Sequence, residues 1–67
     1  MKNARMPSHR LTEDDATQVW IRHWNGEFQN RIAADFDTNP GRVNEVLKGH
    51  LHKGSREMAL RKYKRSA

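Results

Sequence analysis

Residues 29–48 read Gln-Asn-Arg-Ile-Ala-Ala-Asp-Phe-Asp-Thr-Asn-Pro-Gly-Arg-Val-Asn-Glu-Val-Leu-Lys, and their punctuation decides the fold. Phe28, Ile32 and Phe36 repeat at four-residue spacing with Ala33 beside them, which predicts a helix over 27–36 that packs on that face. Asp37 and Thr38 form a short turn. Asn39 suits an N-cap because its side-chain oxygen accepts from the orphan amides of a helix start. Pro40 fits the first helical position, where no N–H is needed. Val43, Val46 and Leu47 then give a helix over 40–48 an apolar inner face, and Gly49 ends it.

Working outward toward the N-terminus, Thr12 opens an earlier helix over 13–24. Glu13, Asp14 and Asp15 oppose the positive end of its dipole, and Asp15 stands where a capping box places its second side chain. Ala16, Val19, Trp20 and Trp24 share one face with Ile21 at its margin. Asn25-Gly26 stops the helix by supplying a residue tolerant of positive φ. Residues 1–11 hold Lys2, Arg5, Arg10 and Pro7 without apolar periodicity, and are expected to form a flexible basic arm.

Toward the C-terminus, Gly49-His-Leu-His-Lys-Gly54-Ser55 reads as a loop between two glycines. Ser55 is a candidate cap for a last helix over 56–65, in which Met58, Ala59, Leu60 and Tyr63 offer a small apolar patch. The expected organisation is thus an arm over 1–11, a tri-helical domain over 12–49, and a loop with a basic helix over 50–67. The fold class is all-α.

Composition narrows the function. A chain of 67 residues supports one domain and a modest core. It has no cysteine, so neither disulfides nor zinc thiolates are expected to staple it. Its longest apolar run, Val19-Trp20-Ile21, is far too short for a membrane span or signal peptide, so a cytoplasmic, nucleoid-associated protein is expected. Charge is uneven: residues 1–39 carry five Lys/Arg and six Asp/Glu, net −1, whereas residues 40–67 carry eight and two, net +6. A basic half fits nucleic acid, but it also fits plain solubility, and charge alone leaves these readings even.

The stretch from Gln29 to Gly49 resembles the helix-turn-helix family of bacterial and phage regulators, repressor-like or homeodomain-like. Members open the second helix with Gln, place Ala four residues later, and bury Val and Ile or Leu on the reading helix. Gln29, Ala33, Val43 and Val46 match. Two positions depart from the pattern: Asp37 stands where the family usually has Gly, and Thr38 where it usually has a buried aliphatic. Asp tolerates left-handed backbone better than most residues, and the Thr methyl can replace part of the aliphatic.

The resemblance implies a three-helix core with the helix over 40–48 laid in the major groove of double-stranded DNA. Asn39, Pro40, Gly41, Arg42, Asn44 and Glu45 then become the candidates for base readout. Arg42 suits guanine, Asn44 adenine or a phosphate, and Glu45 cytosine N4 or a bridge to Arg42 or Lys48. Pro40-Gly41 would clear bulk from the groove wall. Gln29, Lys48, Lys53 and Arg56 are the candidate phosphate contacts. One reading helix covers few base pairs, so a homodimer is expected, with Trp20, Ile21, Trp24, Leu60 and Tyr63 as candidate contacts, although Trp20 and Trp24 are more often core.

Other signals are weaker. His50 and His52, with His9 and His23, lack the Cys or carboxylate company of a metal site, and no metal or cofactor is expected. The acidic run at 13–15 is explained by helix-end chemistry. No nucleophile, HExxH or Gly-rich phosphate motif is present, so neither an enzyme nor a small-molecule substrate is expected. The expected function is a sequence-specific transcriptional regulator. Its rivals are a protein-interaction module that binds a transcription, phage or host factor, and a DNA-bending recombination accessory protein.

Overall fold

The computed structural model describes residues 10–66, with side chains as far as residue 64. Residues 1–9 of the arm expected over 1–11, and the last residue, lie outside the described residues. Four helices follow one another: α1 Glu13–Trp24, α2 Gln29–Asp35, α3 Pro40–Leu47 and α4 Ser55–Ser66. The described residues contain no strand, and the architecture is all-α as expected.

The start of α1 is fixed by a reciprocal cap. The Asp15 amide donates to Thr12 Oγ1 and the Thr12 amide donates to Asp15 Oδ2, both at 3.0 Å. Ala16, Val19 and Trp20 are buried, and Gly26 closes the helix at φ +93°. Leu11, assigned above to the arm, is instead a core residue at 4% exposure. It packs with Ala16, Val19, Trp20, Ile32, Ala33, Val43, Val46 and Ala59.

α2 begins two residues later than the periodicity predicts, and Phe28 is not on its packing face. Phe28 is the N-cap, with extended backbone (φ −74°, ψ 146°), and is 81% exposed. The physical reason lies just before it. The Glu27 amide donates back to the Arg22 carbonyl at 3.1 Å, and the Glu27 carboxylate takes the Arg22 guanidinium. The segment after α1 is therefore spent closing that helix. Phe28 falls outside the helical period, so its spacing to Ile32 carries no facial meaning.

The turn between α2 and α3 follows expectation. Asp37 takes φ +55°, and the Thr38 amide donates to the Ala33 carbonyl at 2.9 Å. Asn39 Oδ1 caps α3 by accepting from the Gly41 amide at 2.6 Å, with Pro40 at the first helical position. Val43 and Val46 are fully buried, and Gly49 ends the element at φ +82°.

Ser55 is not the cap of α4. It is the first helical residue and wholly buried, and its hydroxyl accepts from the Trp20 indole N–H at 3.1 Å. A buried indole needs such a partner, and Ser55 supplies it from across the core. α4 then packs along α1. The Trp24 ring meets Trp20 at 5.5 Å and Tyr63 at 5.4 Å between centroids, and Tyr63 Oη donates to Asn25 Oδ1 at 3.3 Å.

Candidate nucleic-acid interface

Burying Val43 and Val46 turns the opposite side of α3 outward. Asn39, Pro40, Arg42 and Lys48 are exposed, while Gly41, Asn44 and Glu45 are partly so. Arg42 and Glu45 are not independent: Arg42 Nη2 donates to Glu45 Oε2 at 3.1 Å, one turn away. An exposed pair of this kind contributes little to stability, about 0–1 kcal/mol, so it yields readily to a better partner. It also occupies only one of five guanidinium N–H groups. Gly41 has a task inside the chain as well. A Cβ there would stand 3.0 Å from Asn39 Oδ1, so a side chain at 41 pushes against the cap.

The candidate phosphate contacts are spread over three helices and the loop between α3 and α4. Gln29 opens α2 and is partly buried; Lys48 caps α3; Lys53 lies in the loop. Arg56, on α4, sets its guanidinium 5.8 Å from the Trp20 ring centroid, a cation–π contact within the chain. The candidate dimer contacts form a seam between α1 and α4. Trp20 is buried, Ile21, Trp24 and Leu60 are partly buried, and Tyr63 is 37% exposed.

Two groups escape sequence reasoning. Arg22 Nε donates to Glu27 Oε1 at 2.9 Å, and Arg22 Nη2 is ion-paired to Asp35 at the end of α2. The hydrogen bond from Arg22 holds the Glu27 carboxyl below its usual range. The same two partners raise the Arg22 guanidinium further into the alkaline region, the Glu27 hydrogen bond most. These partners are five and thirteen residues from Arg22, off the helical spacings that advertise ion pairs. The second group is His52. At φ +50° it reaches Leu11, and its Nε2–H donates to the Leu11 carbonyl at 2.8 Å. That contact helps to shape a shallow concavity of about 320 Å³ lined by Arg10, Leu11, Arg42, Glu45, Leu51 and His52.

Among the described residues, no three His, Cys, Asp or Glu side chains gather as a metal site, and no helix is long and apolar enough to cross a membrane. In comparisons with known proteins, no family model, curated protein or solved structure matches the chain.

Proposed function

We propose that the chain is a sequence-specific DNA-binding regulator in which α2 and α3 act as a helix-turn-helix and α3 enters the major groove. The observation that carries this reading is the division of α3. Val43 and Val46 anchor it in the core while Arg42 is exposed and Asn44 and Glu45 are partly exposed, behind a capped, glycine-bearing start. Arginine, asparagine and glutamate on one exposed face match the donor and acceptor pattern of base edges. The net +6 of residues 40–67 supplies the general attraction to phosphate. Two copies on an inverted repeat would extend the short site that one α3 can cover.

Selection of bound duplexes from a random library at about 150 mM salt tests it. Enrichment of an inverted repeat, with half-sites one helical turn apart, is the expected result. Binding without enrichment, lost as salt rises, would leave a basic surface and no sequence reader.

One observation favours a second reading, a protein-interaction module. Phe28 exposes an aromatic ring almost completely, and Met58 is 43% exposed. A partner seated on Phe28 would bind with little salt dependence and be lost in Phe28→Ala, whereas duplex binding weakens steeply with salt.

A further inference from the structure

The loop between α3 and α4 is fastened at both ends. The His50 and Leu51 amides donate to the Glu45 carbonyl at 2.9 and 3.3 Å, tying the loop to α3. One residue on, the His52 imidazole donates to the Leu11 carbonyl at 2.8 Å, tying it to the segment that leads into α1. His52 holds this contact at φ +50°, a conformation that costs a non-glycine residue free energy and persists where surroundings enforce it. Leu11 is fixed in the core, so its neighbour Arg10 has a set point of departure. From there Arg10, itself exposed, lines the same concavity as Arg42.

The charges around that concavity do not balance. Arg10 and Arg42 both line it, Glu45 is the one acidic residue that does so, and Arg42 already holds Glu45. Arg10 has no hydrogen bond or ion pair among the described residues. An oxyanion entering such a concavity meets more positive than negative charge and gains charge-assisted hydrogen bonds.

We propose that Arg10 is a phosphate contact for duplex DNA, positioned beside Arg42 by the His52–Leu11 hydrogen bond. The inference rests on the DNA-binding reading above. In it, Arg42 reaches a base edge while Arg10, on the flank of α3, takes a backbone oxygen at the rim of the groove. His52 touches no DNA and acts through Leu11.

The test is duplex affinity of the full chain by fluorescence anisotropy over a series of salt concentrations, using a random-sequence duplex. Arg10→Ala is expected to weaken binding on the order of tenfold at low salt, and to lower the slope of log affinity against log salt by about one. His52→Gly accepts φ +50° without strain, so it removes the tether and leaves the backbone its conformation. It is expected to reproduce most of the loss with an unchanged circular dichroism spectrum. The double variant should bind no more weakly than Arg10→Ala. A wild-type chain that binds duplex DNA while Arg10→Ala keeps both affinity and slope would overturn the inference alone. Additive losses in the double variant would remove the positioning role of His52. A wild-type chain that binds no duplex even at low salt would overturn the DNA-binding reading and this inference with it.

Discussion

Ser55 and Thr38 each take a hydroxyl oxygen out of water, and they differ in what they find there. Ser55 Oγ accepts from the buried Trp20 indole, whereas Thr38 Oγ1 has no hydrogen-bond partner among the described residues. Leaving a buried polar group unpaired costs about 1–3 kcal/mol, so the two side chains respond oppositely to losing their oxygen. Ser55→Ala orphans the indole N–H and is expected to lower stability by about 1–3 kcal/mol in urea denaturation. Thr38→Val keeps the shape and removes the orphan, and the same measurement is expected to show a gain of about 1 kcal/mol. On the exposed side of α3, Arg42→Ala is expected to cost on the order of 1–3 kcal/mol of duplex affinity and to relax preference at one base position. Lys53→Ala should instead weaken all sequences about equally. Uniform weakening by both would remove Arg42 from base readout.

At the scale of elements, the starts of the first three helices differ in how they are held. Thr12 and Asp15 cap α1 reciprocally, Asn39 caps α3, and α2 starts at Phe28 with no side-chain cap. α1 carries Trp20 and Trp24, which pack against α4, so fraying its first turn loosens more than one helix. Thr12→Ala is expected to cost about 1 kcal/mol, read as a lower urea midpoint with unchanged slope, while Thr12→Ser keeps the hydroxyl and most of the stability. α2 compensates for its bare start through the ends of its neighbours. Arg22 near the end of α1 grips Glu27 before α2 and Asp35 at its last residue.

The described residues measure 38 × 20 × 16 Å, so their core is thin, and the partly exposed Arg22–Glu27–Asp35 cluster that ties α1 to α2 carries a modest weight in stability. That weight is pH-dependent. The Glu27 carboxyl is held below its usual range by the Arg22 hydrogen bond. A carboxyl depressed in the folded state stabilises it above the unfolded value, roughly 4.3 for Glu, and the contribution fades as pH falls through the lower folded value. Stability should therefore drop on acidification through and below the ordinary carboxylate range. Glu27→Gln is expected to be less stable than wild type at neutral pH and to lose part of that acid sensitivity. Thermal melts from pH 7 down to pH 3 check both, and parallel melting curves for the two proteins would show that Glu27 is not the group responsible.

Local chemistry made much of this fold readable from the chain itself. The limits of α1, the Thr12–Asp15 box, the Asn39-Pro40 start of α3, the positive φ at Asp37 and the buried Val43 and Val46 all follow from neighbours a few residues apart. Capping oxygens, turn-forming residues and helical period act over one or two turns, so a sequence states them directly. Tertiary structure alone decided the rest. It turned Phe28 outward, drew Leu11 into the core, set Ser55 beneath Trp20 and closed Arg22 on two acids. It also packed Trp20, Trp24 and Tyr63 along the α1–α4 seam, joined His52 to Leu11 and set Arg10 and Arg42 around one concavity. The partners in the Trp20–Ser55 and His52–Leu11 bonds stand 35 and 41 residues apart. Such groups meet only once helices have packed, and no spacing along the chain encodes which side chain will be waiting on the other side.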